Sequence, residues 1–406
     1  MAGRRKHARV LIYSHDTFGL GHLRRCRAIA HALVEARVDL SVLILSGSPI
    51  IGSFDFRSRV DFVRIPGVIK LRNGEYTSLS LHIDIEDTLA LRASIIRHTA
   101  DILKPDIFIV DKEPLGLRGE VKDTLVMLKQ RGTHLVLGLR DVMDEPAQLA
   151  PEWERKNAVP ALRDLYDDIW IYGRQEICDP LDGIALPRSV RQKITYMGYL
   201  RRSLPGVPPG PGAQALLESG EPYILVTAGG GGDGDGLVDW VLRAYETDRD
   251  IPYRCLIVFG PFLSHERRAE FLTRVQNLQS VRAITFDAHV ESLMAPAVGI
   301  VAMGGYNTFC EILSFDKRAI LVPRTKPRLE QSIRASRAAD LGLVRMLEDN
   351  GSPDPRLMAS AIRNIGNQPR PSTIWRNGFM DGLENVNRRV GALLDRPAPP
   401  LVLHQA

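Results

Sequence analysis

The sequence predicts an α/β protein built from two open parallel sheets in succession, each flanked by helices. Three observations carry this reading. Short apolar runs of strand length alternate with stretches whose apolar residues recur at helical spacing, the signature of a parallel sheet with helices on its faces. The alternation stops once, in a proline- and glycine-rich segment at residues 201–212, and then begins again. The 406 residues also exceed what one ordinary core organises, so two lobes are the default.

In the first lobe, residues 9–14 read as a strand that leads into the glycine turn Phe18-Gly19-Leu20-Gly21-His22. Residues 23–36 then place Cys26, Ala30, Leu33 and Val34 on one helix face. Strands are expected at 40–45, 62–65, 107–110 and 135–139, with helices at 85–103 and 120–130, and the runs at 169–172 and 194–197 close the sheet. Residues 201–220 include Pro205, Pro208, Pro209 and Pro211, which neither a helix interior nor a central strand accepts, so they form a linker. The second lobe repeats the plan: a strand at 223–227, the turn Gly229-Gly230-Gly231-Gly232, a helix at 237–245, and strands at 255–259, 283–286, 299–303 and 319–322. The expected boundaries are 1–200 for the first lobe, 201–220 for the linker and 221–370 for the second lobe. Residues 373–394 are helical in pattern, and a terminal helix within 371–396 could pack back onto the first lobe.

Composition excludes several classes. Hydrophobic residues at 44% and charged residues at 25% fit a soluble globular chain rather than a disordered or membrane-spanning one. No apolar run is long enough to cross a bilayer, and the start of the chain lacks a signal-peptide core, so the expected location is the cytoplasm. A net charge of +5 is mild, and the basic residues are not gathered into a run interleaved with aromatics, so no nucleic-acid partner is expected. The basic start, Arg4 to Arg9, could make a peripheral contact with the inner face of a membrane. Cys26, Cys178, Cys255 and Cys310 are too far apart for a zinc knuckle and read as reduced, mostly buried thiols.

The stretch Gly304-Gly305-Tyr306-Asn307-Thr308-Phe309-Cys310-Glu311 lies between an apolar strand and a helix. Main-chain N–H groups and the positive end of a helix dipole would there face the crevice, which suits a phosphate. Glu311, in the first helical turn, could reach a sugar hydroxyl beside it. Thr308 and Glu311 also spell a capping box that would need no ligand. In the first lobe, Gly19-x-Gly21-His22-x-x-Arg25 sets an imidazole at a helix N-terminus, where the dipole keeps it neutral and able to take a proton. Arg24, Arg25 and Arg27 could neutralise an anion, or face solvent, since consecutive residues cannot share a helix face. Asp111, Lys112, Glu113, Arg140 and Asp141 close two strands and could line a pocket for a second substrate. Gly229, Gly230 and Gly231 would let a pyrophosphate approach the main chain, although the Lys of a P-loop is lacking. Asp233 and Asp235 have the spacing of a carboxylate pair but sit in a glycine loop where exposed turn residues are common, and no metal is assigned to them. Gln331 suits sugar hydroxyls because it both donates and accepts. Arg328, Arg334 and Arg337 could serve a diphosphate or form a solvated helix face.

Taken together, the G-x-G-H turn after the first strand, the second glycine turn, and Gly304-Gly305-x-x-Thr308-x-x-Glu311 followed by the segment through Gln331 and Ala335 resemble family 28 glycosyltransferases of GT-B fold. Within that family the chain is most similar to the N-acetylglucosaminyltransferases of peptidoglycan lipid-intermediate synthesis. The resemblance implies two Rossmann-like domains facing across a cleft, and inverting, metal-independent transfer of N-acetylglucosamine or another hexose from a UDP-sugar to an acceptor hydroxyl. The UDP-sugar is then a substrate, and no cofactor is required. It implies His22 as the base, Gly304, Gly305, Asn307 and Thr308 as the diphosphate turn, Glu311 on the ribose, Gln331 on the sugar, and the backbone at His289 and Val290 on the uracil. Gly229, Gly230 and Gly231 would also face the donor; Gly19, Gly21, Arg25 and Asp111 would face the acceptor or a phosphate. The family's tandem glutamines appear here as Glu330-Gln331 and a preceding histidine as Lys326, which leaves the donor sugar open. The N-terminal motif also looks like the nucleotide-sugar hydrolase of pseudaminic acid synthesis, whose acceptor is water. A nucleotide-sugar 2-epimerase and a non-catalytic nucleotide-sugar sensor share the two-lobed plan. The acceptor is unreadable, because its contacts would lie on loops such as residues 66–80.

Overall fold

The computed structural model describes the chain except residues 1–6, 17–19, 72–74, 205–209, 211–213, 215–216, 230–231, 376 and 396–406. Gly19, Gly230, Gly231 and most of the expected linker therefore lie outside the described residues.

The first sheet contains seven strands in the order β3-β2-β1-β6-β7-β8-β9: Val60–Arg64, Leu40–Ser46, Ala8–Ser14, Ile107–Asp111, His134–Arg140, Asp168–Tyr172 and Ile194–Tyr196. All its pairings are parallel. The apolar runs are continuous rather than alternating because helices cover both faces; every residue of β6 and β8 is buried. The second sheet contains six parallel strands in the order β12-β11-β10-β13-β14-β15: Val281–Ile284, Arg254–Val258, Tyr223–Thr227, Gly299–Ala302, Arg318–Leu321 and Arg345–Met346. A small antiparallel hairpin, β4 (Val68–Lys70) with β5 (Tyr76–Ser78), adds to the first lobe. The sequence reading missed this hairpin and the two-residue β15, because neither carries an apolar run long enough to register.

Strand order fixes where a ligand can go. In each sheet the chain starts in the middle, winds to one edge, then crosses back and winds to the other. The crevice opens at the carboxyl ends of the two central strands, where the direction reverses. Those strands are β1 and β6 in the first lobe and β10 and β13 in the second.

The lobes are joined by packing as well as by chain. One apolar cluster runs from Val10 and Ile12 through Tyr199 to Tyr306, Phe309 and Ile312, with the Tyr199 ring 5.3 Å from those of both Phe309 and Phe379. After the second lobe the chain returns to the first. Residues 373–394 do not form the continuous helix expected of them: a 3-10 turn at Pro371–Thr373 is followed by a bend, with Gly378 at a φ of 89°, and the helix begins only at Gly382. Helical periodicity cannot see a left-handed residue that breaks the ladder. The helix Gly382–Leu394 lies on the first lobe, where Asn385 donates to the Met197 carbonyl at 2.7 Å and Arg389 meets Asp168 at 2.6 Å. Gly382 must be glycine for this approach, since a Cβ would stand 2.5 Å from the Gly198 carbonyl oxygen.

Among the described residues no helix is long and apolar enough to cross a membrane. All four cysteines are free thiols, three of them buried.

Candidate active site

His22 is the second residue of the helix Gly21–Ala36, which follows β1, and Asp111 is the last residue of β6. The reversal point of the first sheet thus brings together two side chains 89 residues apart. The His22 Nδ1 bonds the Asp111 carboxylate. Arg25, one helical turn on, donates to the same carboxylate through Nε at 2.8 Å and Nη2 at 2.5 Å. A carboxylate has no proton to give, so His22 carries its hydrogen on Nδ1 and its other ring nitrogen, Nε2, keeps a lone pair. Burial is the largest influence on the imidazole and outweighs the pull of Asp111, lowering its pKa from 6.5 to about 4. Burial opposes ionisation of Asp111, but Arg25 and His22 outweigh it and hold the carboxyl well below the usual range. The result is a neutral, oriented imidazole beside a charged carboxylate.

This corrects two expectations. Asp111 is only 2% exposed and stands behind His22, so it holds the imidazole instead of lining a pocket. Arg25 is buried and its guanidinium is committed to Asp111, which removes it from any substrate phosphate. The arginines of this helix do diverge: Arg25 turns into the first lobe, while Arg24 crosses to the second lobe and meets Glu311 at 2.6 Å and Glu291 at 2.7 Å.

In the second lobe, Gly304 and Gly305 follow β13 and the helix Tyr306–Ser314 starts immediately after them. Gly304 takes a φ of 80°, a left-handed turn that suits glycine. Gly305 occupies the cap position, and no side chain caps the helix. The Thr308 and Glu311 capping box therefore does not form. Thr308 lies in the first turn and Glu311 in the second, one turn later than expected. The first N–H groups of this helix are left for another partner. Gly229, at a φ of 78°, follows β10 at the same reversal point.

Asn307 bridges the lobes. Its amide donates to the Gly21 carbonyl at 2.9 Å and accepts from Arg202 Nη2 at 2.7 Å. The N-termini of the helices carrying His22 and Asn307 therefore face each other across the cleft. Gln331, in the helix Glu330–Asp340, lies beside this turn: its Oε1 accepts from the Arg324 N–H at 3.2 Å, and its Nε2 is 4.0 Å from where a Gly305 Cβ would stand.

Glu311 is 1% exposed, and burial, with Arg24 opposing, pushes its pKa up to about 7. Its buried Oε1 faces the Arg24 guanidinium at 2.6 Å and has no other donor among the described residues. Next to this pair a cavity of about 260 Å³ is lined by Arg24, Arg27, Arg202, His289 and Glu291. Arg202 is 9% exposed and its Nη1 has no hydrogen-bond partner. Val290 opens the short helix Val290–Met294, with His289 at its cap.

Other expected residues have different employment. Arg334, expected on a diphosphate or in solvent, is fully buried and paired with Asp141 of the first lobe at 2.6 Å. Arg328 meets Glu152 at 2.9 Å, and Arg337 is an exposed residue donating to the Glu176 carbonyl. These cationic side chains clamp the lobes; helix periodicity alone could not reveal partners more than 150 residues away. Asp233 pairs with Arg324, and Asp235 lies 3.5 Å from Arg267.

The arrangement matches a known plan. Residues 223–372 match the glycosyltransferase family 28 C-terminal domain. The fold of the whole chain is GT-B. Among solved structures it is similar to CalG4, the calicheamicin glycosyltransferase, at a TM-score of 0.60 and 14% identity, covering 97% of this chain and 100% of the other. A UGT transferase from Siraitia grosvenorii in complex with UDP superposes at 0.62 with 15% identity, covering 95% of this chain and 100% of that one. The glycosyltransferase VinC in complex with dTDP superposes at 0.57 with 17% identity, covering 95% and 96%. No curated protein matches the chain by sequence. At these identities the likeness to solved structures shows the GT-B fold alone.

Proposed function

We propose that the chain is an inverting, metal-independent glycosyltransferase that moves a hexose, most simply N-acetylglucosamine, from a UDP-sugar to an acceptor hydroxyl. The observation that carries this reading is the His22–Asp111 pair at the reversal point of one sheet, facing the uncapped Gly305 helix terminus at the reversal point of the other. The family match of the second lobe supports donor binding there, and the likeness to structures holding UDP and dTDP fits a nucleoside diphosphate.

In the proposed reaction the diphosphate lies on the Gly304–Gly305 turn, where main-chain N–H groups and the helix dipole take its charge. Glu311 accepts from the ribose once Arg24 gives up its Oε1, Gln331 meets the sugar, and the uracil occupies the cavity at His289, next to Val290. His22 Nε2 removes the proton of the acceptor hydroxyl as that oxygen bonds the anomeric carbon. The carbon–oxygen bond to the diphosphate breaks on the opposite face, UDP leaves with the electron pair, and the configuration inverts. Asp111 holds the Nδ1 hydrogen and stabilises the transient imidazolium. Asn307 touches Gly21 directly, so the donor must part the lobes to enter.

Calorimetry against a panel of nucleoside diphosphates, followed by mass spectrometry of products formed from UDP-sugars, tests the reading. Expected are UDP binding and a sugar-modified acceptor. Failure of any nucleoside diphosphate to bind would sink it, and free sugar released without acceptor would mark hydrolysis instead.

A further inference from the structure

Charges along the floor of the first lobe's cleft pair off almost completely. Arg25 takes Asp111, Arg334 takes Asp141, Arg328 takes Asp144 and Glu152, Lys156 bridges Glu113 and Glu152, and Arg324 holds Glu330. Among the described residues there, Arg140 and Lys112 are the loosely paired cations. Arg140, the last residue of β7, comes no nearer than 3.9 Å to Glu330, and its Nε is buried without a hydrogen-bond acceptor. Lys112, one residue past β6, lies 3.7 Å from Glu113, whose carboxylate is already bound by Lys156 at 2.9 Å.

Both are held in place. Their side chains are 15% and 13% exposed. Asp111 and Gly138 are register partners on β6 and β7, and the Lys112 N–H donates to the Gly138 carbonyl at 2.8 Å, so the two cations stand at adjacent strand ends. Lys112 adopts a φ of 69°, a left-handed conformation that a side-chain-bearing residue keeps only when its surroundings impose it. Burial lowers the pKa of Lys112 to about 8 and that of Arg140 to about 10, and the Lys112 charge is felt by His22. A cation kept from water with its counter-charge only at 3.7 or 3.9 Å is incompletely compensated, and a closer incoming anion would recover part of that cost.

We propose that Arg140 and Lys112 form an anion subsite beside the His22–Asp111 pair, which holds a phosphate or carboxylate carried by the acceptor. The inference rests on the sugar-transfer reading and adds the acceptor's chemical class. The planar guanidinium suits two oxygens of the group and the ammonium a third. The acceptor is the right bearer because both cations belong to the lobe that supplies the base, whereas the donor's diphosphate has its own helix terminus in the other lobe.

The test is calorimetric and has two stages. UDP is first titrated into the protein at pH 8, then inorganic phosphate is titrated into the UDP-saturated protein. Expected is phosphate binding with proton uptake, read by comparing buffers of different ionisation enthalpy, because an anion raises the Lys112 pKa. Arg140→Gln and Lys112→Met should each weaken phosphate at least tenfold, and Arg163→Gln, an exposed cation elsewhere, should not. Since each cation is held only by a long ion pair, at 3.7 Å for Lys112 and 3.9 Å for Arg140, both variants should keep the melting temperature.

Phosphate that fails to bind once UDP is in place, or that binds the two variants as well as wild type, would overturn the subsite. A fall in melting temperature would overturn it too, by marking the cations as structural. If UDP-glucuronate binds more tightly than UDP-glucose and Arg140→Gln removes that advantage, the anion belongs to the donor sugar and the acceptor assignment falls. Absence of UDP binding in the first stage would overturn the transfer reading itself, before phosphate is added.

Discussion

In the first lobe His22 stands at the cleft with Asp111 buried behind it and Lys112 and Arg140 at neighbouring strand ends, whereas Gly304 and Gly305 in the second present main-chain N–H groups. The two lobes share a strand plan, with a turn and a helix at the reversal point of each sheet, and the second matches a family by sequence. A site made from backbone demands particular residues, glycine for a φ of 80° and for close approach, and so leaves a spelling that survives divergence. A site made from side chains at strand ends makes no such demand on the backbone, and its residues are assembled by the order of the sheet.

The sharpest way to break this comparison is His22→Ala. We expect the transfer rate to fall by about 10²–10⁴-fold, the usual share of a general base, with UDP affinity unchanged by calorimetry. A comparable loss of UDP binding would mean the first lobe also builds the donor site. Gly305→Ala probes the other side. The new methyl meets nothing nearer than Gln331 Nε2 at 4.0 Å, and the backbone φ of −57° is ordinary, so the melting temperature should hold. UDP affinity should fall about tenfold, roughly 1.4 kcal/mol, because the methyl stands over the helix terminus. A drop in melting temperature with unchanged affinity would show that the turn is structural.

A smaller effect is expected at Arg24, which covers Glu311 from across the cleft. Arg24→Gln should tighten UDP binding by about 2- to 5-fold, well under 1.4 kcal/mol, by removing the competitor for that carboxylate, while Glu311→Ala should weaken it. Equal weakening in both variants would mean that Arg24 contacts the donor itself.

The pH profile gives the mildest signal. The folded His22 pKa, about 4, lies below the ordinary 6.5. The unfolded chain therefore binds the extra proton between those values. The stability contributed by burying the neutral ring is complete above pH 6.5 and is lost as pH falls toward 4. For the same reason the transfer rate should stay flat from about pH 5 to 8 as far as this base is concerned. An acid limb near pH 6.5 would show that the imidazole is solvated in the working enzyme.

Much of the frame could be read in advance. The helix at 85–103 and the strand at 223–227 appear with the expected bounds, and most other strands shift by only one or two residues, because long apolar runs and helical periodicity are local properties. The placing of His22, Gly304 and Gly305 where a strand meets a helix was legible for a related reason: their glycine turns interrupt that periodicity. The contact of Asp111 with His22 was not legible. Asp111 ends a strand like any acidic residue, and only the order of the sheet carries it to His22. Nor was the Arg334–Asp141 clamp, in which two charges 193 residues apart are both fully buried; breaking such a pair typically costs about 3–5 kcal/mol.

Residue by residue, the chain determined its strands, its helices and the glycine turns between them, because each depends on neighbours within a few positions. Which carboxylate stands behind the imidazole, which arginines lock the lobes together, and which two cations keep only long ion pairs were decided only by the fold. Those outcomes depend on strand order and on burial, which bring together groups the sequence holds far apart and remove the water that would otherwise have screened them.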